Sequence, residues 1–442
     1  MNSYTELYNK KKCSVDEALS HIQPGSRIIV GQAAAEPAAL MEKLHTLVDR
    51  GVGNLEVQTS LVLGHYEFIE NPKYSGDISN HCWFLTDVTR RAQQEGRLTF
   101  TPQHAHRAVP KKLSHPVERP LVLLVTCSPM DKHGYVSLSV SNIYEHDFYK
   151  AGAKVICEIN PHYPRTFGDN LIHIRDIEAF VETNRPVPEI ELSDFSEADE
   201  LIGEHIAQLV EDGSTIQLGI GKIPNAVARQ LRSKKHLGIH TEMFTENMMD
   251  LIECGAVDNS RKGLYNGYSV CAFAYGSKRV YDYLDDNPSV LILPGSFVND
   301  PYQIAKTNRY VSINTALEVE LTGQCASESL AHLQYSGTGG QADTVIGSQR
   351  SKGGKSFIAL HSTRITRQPD GGTTTASKIV SQLSPGSIVS LSRNDVDYVV
   401  TEHGVAWLKG LSMRERVVAL VRIAHPDFRE QLTDEAKKRK FI

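Results

Sequence analysis

The same short order of strand, glycine turn and helix occurs twice in this chain. In the first copy, an apolar strand lies between the glycines of segment 25–31, and Pro37 precedes a helical stretch. In the second copy, a strand lies between the glycines of segment 213–219, and Pro224 precedes a helical stretch. The glycine spacing is identical, and both copies begin with Gly-Ser. The repeat predicts a duplicated α/β unit, although these elements can also recur in this order by chance.

The residues before and between the two copies favour duplication and indicate where the chain divides. Ser14 and Ser196 each begin a predicted helix that ends shortly before the strand. Between the copies, the stretch 183–191 contains two prolines, which favour a stiff extended linker. We therefore predict an N-terminal domain over residues 1–185 and a C-terminal domain over residues 186–442.

The rest of the sequence alternates short apolar stretches with helical ones, which is typical of open α/β domains. One of the predicted helices is 174–181. The predicted strands are residues 121–126, 155–159, 290–293, 356–360 and 388–391. The expected fold class is therefore α/β, with two similar open α/β domains related by tandem duplication.

Composition and charge narrow the possible functions. With 442 residues, 40% of them apolar, and a net charge of -5, the chain resembles a globular protein and has no basic surplus for a nucleic-acid partner. The longest apolar runs have the length of strands, and no secretory signal is visible, so we expect a cytoplasmic protein without membrane contact. Seven scattered cysteines without a C-x-x-C pair favour reduced thiols and provide no zinc motif.

The first candidate for chemistry is the loop 219–224, with the sequence GIGKIP. Glycines between a strand and a helix let the backbone approach a phosphate or a pantetheine arm, and a helix N-terminus favours negative charge. The loop is not a dinucleotide fingerprint, because Pro224 replaces the third glycine, and it lacks the Gly-Lys-Ser/Thr ending of a Walker A loop. A tight turn without a ligand is the simpler interpretation of this loop alone.

Two further segments contain residue types that suit catalysis. Glu242 follows the strand-like segment 237–239, so its carboxylate is predicted at the carboxyl end of a strand, where open α/β sheets bind ligands. A glycine-rich run from Gly337 to Gly354 ends at Lys355 and can present backbone N–H groups to an oxyanion and an ammonium group to phosphates. A salt-bridged glutamate and a set of hairpin turns are the structural alternatives.

Together these segments resemble the acetyl-CoA hydrolase/transferase family, and within it enzymes similar to 4-hydroxybutyrate CoA-transferase, over nearly the whole chain. The resemblance is carried by GIGKIPNAV (219–227), GIHTEMFTENMMDLIECGAV (238–257), YVSINTALEVELTGQ (310–324), SGTGGQAD (336–343), SKGGKS (351–356), DVDYVVTEHGVAWLKGLSMRER (395–416) and AHPDF (424–428). In the first half, SPMDKHGYVSL (128–138) and EINPHYPRTFGD (158–169) also match. So many matches in the same order are not expected by chance.

The resemblance implies a class I-type CoA-transferase that moves coenzyme A between an acyl-CoA and a small carboxylic acid through a glutamyl-CoA thioester on Glu242. Gly340 and Asn299 would donate hydrogen bonds to the oxyanion. Coenzyme A would contact the glycine loop and three further residues, namely Gly219, Ile220, Gly221, Lys222, Ile223, Asn314, Gly339 and Lys355. Coenzyme A is then a substrate, no cofactor is bound permanently, no metal is needed, and a homodimer or larger homo-oligomer is expected.

The sequence departs from the family pattern at positions expected to surround the substrate. Glu246 and Asn247 replace an expected aspartate and glycine, Thr344 replaces an aromatic residue, and segment 325–328 differs as well. The acid preference of 4-hydroxybutyrate enzymes therefore cannot be carried over to this chain.

Two smaller motifs remain. His104, His106 and Arg107 form an H-x-H-R cluster where the family's acid pocket would partly lie, and a second positive contact would suit a dicarboxylate such as succinate or itaconate. Exposed strand residues are the simpler interpretation, and a metal site lacks a nearby carboxylate or cysteine. Glu402 and His403 belong to a familial motif, and we expect a structural role for both.

Three functions stay open at this point. The first is a CoA-transferase for short-chain acids such as 4-hydroxybutyrate, butyrate or acetate, or for a dicarboxylate. The second is an acyl-CoA hydrolase, in which water replaces the acceptor acid; a requirement for an acceptor separates the two. The third is a non-catalytic metabolite-sensing module, which fold alone permits; the absence of a helix-turn-helix-like segment or a basic patch disfavours it.

Overall fold

The computed structural model describes residues 3–191, 193–367 and 371–442, which form two compact units. The first unit consists of Met1–Glu191, Glu242–Glu246 and Tyr268–Asn299, and the second consists of Leu192–Thr241, Asn247–Gly267 and Asp300–Ile442. The first unit therefore extends past residue 185 to residue 191 and includes two later segments, and the domain boundary drawn at 185 from the sequence stays a prediction.

Helices and short strands alternate along the first part of the chain. Up to residue 191 the elements are α1 (Ser3–Lys11), α2 (Val15–Ser20), β1 (Arg27–Val30), α3 (Ala38–Lys43), α4 (Thr46–Asp49), β2 (Leu55–Thr59), α5 (Glu67–Glu70), β3 (Ile78–Cys82), α6 (Asp87–Gln94), β4 (Leu98–Phe100), α7 (Ala108–Leu113), β5 (Leu121–Cys127), β6 (Tyr135–Ser137), α8 (Glu145–Lys150), β7 (Lys154–Ile159), β8 (Leu171–His173) and β9 (Ile177–Glu182). Short 3-10 helices cover Ala33–Ala35, Pro72–Tyr74, Ala105–Arg107 and Ile174–Asp176.

The same alternation continues in the rest of the chain. Between residues 192 and 299 the elements are α9 (Glu197–Leu209), β10 (Thr215–Leu218), α10 (Lys222–Leu231), β11 (Gly238–Phe244), α11 (Glu246–Glu253), β12 (Ser269–Ala274), α12 (Lys278–Leu284), β13 (Val290–Ile292) and α13 (Gly295–Val298). The last part contains α14 (Pro301–Ile304), β14 (Tyr310–Thr315), β15 (Glu318–Glu320), β16 (Cys325–Ala326), β17 (Ser329–Leu330), β18 (Leu333–Gln334), α15 (Gln341–Arg350), β19 (Lys355–Ala359), β20 (Thr363–Arg367), β21 (Thr373–Ser377), β22 (Ile379–Val380), β23 (Tyr398–Thr401), β24 (Gly404–Trp407), α16 (Met413–Ile423) and α17 (Pro426–Lys438).

The first unit is built on a parallel sheet in the order β4-β3-β2-β1-β5-β7-β9. Both faces of the sheet are covered, because Ile28 and Val30 pack into one apolar cluster and Ile29 packs into another. Continuous apolar strands such as β5 are the pattern expected of a parallel sheet that is buried on both faces. The parallel pair β12–β13 also belongs to this unit.

The second unit repeats the arrangement around its own first strand. In it β10 lies between β11 and β14, and β19 and β23 follow on the β14 side, all in parallel. In the first unit β1 lies in the same way between β2 and β5. The strand of each glycine-bounded repeat is therefore the central strand of its unit, and the predicted α/β fold class is confirmed.

Both serine-capped helices form as predicted. The Ser14 hydroxyl accepts the Glu17 N–H in a capping box, and Ser196 and Asp199 form the same motif at α9. The linker 183–191 has neither helix nor strand among its described residues.

The secondary structure predicted from the sequence is wrong at residues 177–182, at residues 388–391 and at the start of helix α10. Residues 177–182 form strand β9 instead of continuing a helix, because three consecutive apolar side chains are buried beside β7. Residues 388–391 form no strand; Ile388 and Val389 lie exposed, and only Leu391 makes a single bridge, to Cys325. Helix α10 begins at Lys222, before Pro224, whereas the sequence predicted a helix that follows this proline; a proline is tolerated in the first turn of a helix.

Candidate active site

Glu242 lies within strand β11, whose chain enters the first unit at this residue. The sequence predicted a strand that ended before the glutamate, but the strand continues to Phe244 because Met243 and Phe244 are buried apolar residues. Alternation along the strand directs Met243 into the apolar core of the first unit and Glu242 to the opposite face. The glutamate is partly buried, whereas Thr241 and Met243 beside it are buried.

Asn299 is the partner that the structure brings to this carboxylate. Its Nδ2 donates a hydrogen bond of 2.5 Å to Oε2 of Glu242, and the asparagine is 1% exposed. Asn299 directly follows α13, and two contacts fix the first residue of this helix. The Gly295 N–H donates to Asn142 O, and the backbone packs so closely that a Cβ on Gly295 would come within 2.5 Å of Ile143 O. The sequence predicted both residues as catalytic, and the structure places them in contact.

The glycine loop lies at the topological switch point of the second unit. The loop follows the carboxyl end of β10, which lies next to the carboxyl end of β14. From these two neighbouring strands the chain continues toward opposite sides of the sheet. Open α/β sheets bind ligands at such a point. Gly221 has a φ of +118°, and none of the N–H groups of residues 219–222 donates a hydrogen bond within the described residues. The loop can therefore offer several N–H groups to an anionic ligand.

Asn314, Gly339 and Gly340 lie at the same edge of the second unit. Asn314 is next to last in β14, and Gly340 directly precedes α15, where Gln341 Nε2 donates to Thr315 O. Gly339 has a φ of +52°, and neither glycine N–H donates a hydrogen bond within the described part of the chain. The predicted contacts from three separate segments thus converge on one edge.

Lys355 is not brought to that edge. It is the first residue of β19, where it lies beside Val311, whereas Thr315 lies beside Ala359 at the other end of the strand pair. Four residues of strand separate the two ends by about 13 Å. The Lys355 ammonium instead donates to Leu209 O at 2.7 Å and to the Glu211 carboxylate at 3.0 Å. Its predicted contact with CoA stays a prediction that this geometry does not favour.

Three of the residues that depart from the family pattern, Glu246, Asn247 and Thr344, are held by hydrogen bonds. The Glu246 carboxylate accepts from Ser277 at 2.7 Å and pairs with Arg279. Asn247 Nδ2 donates to Asn225 Oδ1 on α10.

Thr344, which replaces an aromatic residue, belongs to a small hydroxyl network. The Ser312 hydroxyl donates to the Thr344 Oγ1 at 2.8 Å, and Asn314 Nδ2 donates to both hydroxyl oxygens. The Asn314 amide is thereby fixed, and the sequence held no signal for this network because its residues are 30 positions apart.

The H-x-H-R cluster lies in the first unit. It forms the 3-10 helix Ala105–Arg107 and the residue before it rather than an exposed strand, and this helix packs against α13, the element that leads to Asn299. The rings of His104 and His106 lie 6.1 Å apart, and Arg107 is exposed. The cluster therefore flanks the element that positions Asn299.

Glu36 is a buried carboxylate that the sequence analysis missed. It accepts the N–H groups of Leu63 and Gly64 at 2.9 and 3.2 Å and the Tyr66 hydroxyl at 3.0 Å. Burial raises the pKa of Glu36 to about 7, and the three hydrogen bonds only partly oppose this shift. The only sequence signal was a charged residue within an apolar loop, Ala33-Ala34-Ala35-Glu36.

In the familial motif 401–404, the Glu402 carboxylate accepts the N–H and the hydroxyl of Ser362. Burial raises the pKa of Glu402, but these hydrogen bonds outweigh it and the pKa is lowered. Within the described residues, no three metal-binding side chains converge. No helix in the described ranges is long and apolar enough to cross a membrane.

Comparison with known proteins agrees with this architecture. Residues 1–191 match the acetyl-CoA hydrolase/transferase N-terminal domain, and residues 276–436 match the C-terminal domain of the same family. The succinyl-CoA:cyclohexane-1-carboxylate CoA transferase of Geobacter metallireducens is 42% identical, over 99% of this chain and 97% of the relative. The 4-hydroxybutyrate coenzyme A transferase of Clostridium kluyveri is 40% identical, over 99% of each chain.

The fold has a full-length match as well. The crystal structure of RipA from Yersinia pestis superposes with a TM-score of 0.90 and 36% identity, and the match covers 100% of both chains. An acetyl-CoA hydrolase of Kluyveromyces lactis is 29% identical, over 51% of this chain and 41% of the hydrolase. By both domains and over its full length, the chain belongs to the acetyl-CoA hydrolase/transferase family, as its motifs predict.

Proposed function

We propose that the chain is a CoA-transferase that moves coenzyme A from an acyl-CoA to a carboxylic acid through a glutamyl-CoA thioester on Glu242. The observation that carries the proposal is the contact between the Glu242 carboxylate and the buried Asn299 amide, in a family whose full-length relatives include CoA transferases. A carboxylate fixed by an amide is a nucleophile held in one orientation, which lowers the entropic cost of attack.

In the first step, a carboxylate oxygen of Glu242 attacks the thioester carbonyl carbon. The carbon–sulfur bond breaks, coenzyme A leaves as a thiolate, and an acyl-glutamyl anhydride forms. In the second step, the thiolate attacks the glutamyl carbonyl carbon, the anhydride bond breaks, and the donor acid leaves as a carboxylate. An acceptor acid then reverses both steps, so the chemistry consumes neither ATP nor water.

Asn299 has a different role in each step. While Glu242 is ionised, the Asn299 N–H holds one carboxylate oxygen and leaves bond formation to the other. When the thiolate attacks the glutamyl carbonyl, the same N–H faces the oxygen on which negative charge develops. One donor of this kind typically stabilises such a transition state by about 3–4 kcal/mol. The N–H of Gly340 is the donor proposed for the oxyanion of the acyl group.

Coenzyme A is proposed to bind at the carboxyl edge of the second unit. Its anionic and amide groups would accept hydrogen bonds from the N–H groups of the loop Gly219 to Ile223, with Asn314 and Gly339 beside it. The absence of side chains at Gly219 and Gly221 allows close backbone approach. Coenzyme A is here a substrate, and we propose no permanently bound cofactor.

The acid substrate is proposed to be either a short-chain monocarboxylate or a dicarboxylate. The packing of the H-x-H-R helix against α13 favours the dicarboxylate, since Arg107 and the two histidines could meet a second carboxylate. Turnover rates with succinyl-CoA and butyryl-CoA, measured for wild type and Arg107→Ala, test this choice. A selective loss of succinyl-CoA turnover in Arg107→Ala supports the dicarboxylate. Equal turnover of both donors by wild type contradicts it.

Acyl-CoA hydrolysis is the alternative, because the family also contains acetyl-CoA hydrolases. We further propose, from the family resemblance, a homo-oligomeric protein that works in the cytoplasm. Light scattering at micromolar concentration tests the first of these two points, and a monomer there would contradict it.

Intact-protein mass spectrometry tests the covalent mechanism. Wild type is incubated with butyryl-CoA or succinyl-CoA without an acceptor acid, beside Glu242→Gln and the matched control Glu246→Gln, which changes a glutamate bound to Ser277. We expect a CoA adduct on wild type and on the control, none on Glu242→Gln, and discharge by an added carboxylate. No adduct on wild type with any donor contradicts the mechanism, and release of free CoA without an acceptor favours the hydrolase.

A further inference from the structure

A second lysine lies where Lys355 was expected. The Lys378 N–H donates to Ser362 O at 2.8 Å, and its carbonyl accepts the Val319 N–H at 2.9 Å. Ser362 lies three residues past the carboxyl end of β19, and Val319 lies in β15, a short way beyond β14. The backbone of Lys378 is therefore fixed at the carboxyl edge of the second unit.

Among the residues that the structure describes, no anion lies in direct contact with the Lys378 side chain. It is partly buried, and within the described residues its ammonium makes no hydrogen bond and has no carboxylate within 4.0 Å. The neighbouring charges have other partners: Glu318 pairs with Arg364 at 2.7 Å, and Glu402 accepts from Ser362. The charged groups near the Lys378 amine are therefore already bound to other residues.

This environment favours the neutral amine. Burial and, after it, the positive charge of Arg364 lower the pKa of Lys378 to about 8, although the charges of Glu402 and Glu318 oppose the shift. A lysine with such a pKa has a large unprotonated fraction at mildly alkaline pH, and the unprotonated amine is the nucleophile.

The edge that holds Lys378 also holds the proposed coenzyme A site. The glycine loop follows β10 and Asn314 lies in β14, while Ser362 follows β19, the next strand of the sheet. Neighbouring strands are about 4.8 Å apart, so two strand spacings separate the loop from the Ser362 segment. An acyl-CoA bound at this edge brings its thioester to a high local concentration near the amine.

We propose that Lys378 is acylated by the acyl-CoA that the chain itself binds. The inference rests on the proposed function, because it needs acyl-CoA at this edge. The Lys378 nitrogen attacks the thioester carbonyl carbon, the carbon–sulfur bond breaks, an amide forms, and coenzyme A leaves as a thiol after taking up the proton of the amine. The product is a neutral acyl-lysine, so Lys378 can no longer take up the proton that would give this edge a positive charge.

Lys355 and Lys352 provide matched controls in the same unit. Lys355 is also partly buried, but it lies at the opposite edge and its ammonium is paired with Glu211. Lys352 is exposed. Acylation by acyl-CoA free in solution would favour the exposed lysine, whereas acylation by bound acyl-CoA favours Lys378.

Site-resolved mass spectrometry tests the proposal. Wild type, Glu242→Gln and Lys378→Arg are incubated at pH 8.5 with increasing butyryl-CoA, digested with a protease that does not cut at lysine, and analysed for butyryl-lysine. We expect Lys378 to be butyrylated at least about tenfold faster than Lys352, with a rate that saturates with butyryl-CoA and falls when free CoA is added. A rate that rises linearly, or that does not exceed the rate at Lys352, overturns the proposal.

The same samples separate this inference from the proposed function. A CoA adduct on Glu242 without saturable butyrylation of Lys378 overturns the inference alone. Saturable butyrylation of Lys378 without any adduct on Glu242 keeps the inference and contradicts the transferase mechanism. Glu242→Gln cannot consume the donor through the thioester, so we expect its Lys378 labelling to equal or exceed that of wild type.

Discussion

The loops that follow the equivalent strands β1 and β10 begin alike and differ in packing. Residues 31–37 of the first unit are all buried, and a Cβ on Gly31 would lie 2.8 Å from Ala35 O. In the second unit Ile220, Gly221 and Lys222 are exposed, and a Cβ on Gly219 would meet only Pro224, at 3.9 Å. The loop of the first unit is therefore part of a core, and the loop of the second unit has an open backbone.

The proposed function assigns different residues to each loop's unit. The proposed catalytic side chains, Glu242 and Asn299, belong to the first unit, whose closed loop is held by hydrogen bonds to Glu36. The N–H groups proposed to bind coenzyme A belong to the open loop of the second unit. We therefore expect substitutions in the first unit to change chemical steps or stability, and substitutions in the open loop to change binding.

The largest effect is expected from Asn299→Ala. Without the amide donor, kcat is expected to fall about 10²–10³-fold while the KM for acyl-CoA changes less than about threefold, because the donor acts on charge that develops during reaction. Steady-state kinetics measure this, with Asn287→Ala as a control in the same unit. A rise in KM at unchanged kcat would mean that Asn299 binds substrate instead.

The next effect concerns Glu36 and pH. The pKa of Glu36 is about 7 in the folded protein and 4.5 in the unfolded chain. The stability that the neutral carboxyl contributes is therefore fully present below pH 4.5 and is lost as the pH rises through 7. Between pH 5 and pH 8 wild type is expected to lose about 2–3 kcal/mol relative to Glu36→Gln. Urea unfolding at both pH values gives the difference, in which other titrating groups cancel. An equal pH dependence of the two proteins would contradict it.

Gly31→Ala tests the closed loop. The added methyl group would lie 2.8 Å from the backbone oxygen of Ala35 in a buried loop, so the free energy of unfolding is expected to fall by about 1–3 kcal/mol. Chemical denaturation measures the loss. An unchanged stability would show that the loop of the first unit is as open as that of the second.

Gly219→Ala tests the open loop. The substitution has room in the free protein, so stability is expected to stay within about 0.5 kcal/mol of wild type. The methyl group lies where coenzyme A is proposed to approach, and the KM for acyl-CoA is expected to rise about tenfold. A loss of stability as large as that expected for Gly31→Ala would mean that the two loops do not differ in packing.

Lys355→Gln is expected to have the smallest effect. Because Lys355 lies at the opposite edge, the KM for acyl-CoA is expected to change less than about twofold, and the lost partly exposed ion pair costs at most about 1 kcal/mol. A tenfold rise in KM would support the coenzyme A contact that the motif implied. The binding surface would then reach beyond the open loop.

The sequence predicted the features that depend on local pattern. The glycine-bounded strands, the serine caps and the loop 219–223 follow from turn and capping chemistry, which acts over a few residues. The contact between Glu242 and Asn299 came from family resemblance, since no local pattern links residues 57 positions apart.

The failures have tertiary causes. Strand β9 has a periodicity that suits a helix, and its pairing with β7 decides the outcome. The phosphate contact that the SKGGKS motif suggested for Lys355 stays a prediction, although strand direction places this residue at the amino end of β19. Glu36 and Lys378 were missed because burial, which determines their pKa values, is not visible in a sequence.

The discontinuous first unit has a consequence for synthesis. Residues 268–299, with β12, β13 and α13, belong to this unit and leave the ribosome only after Leu192–Thr241 and Asn247–Gly267 of the second unit have been made. A nascent chain that ends near residue 191 therefore lacks Met243, Val270 and Leu293, which complete one of its two apolar layers. The first unit therefore stays incomplete until the segments that interrupt it have been translated. During this interval the nascent protein most needs protection from aggregation.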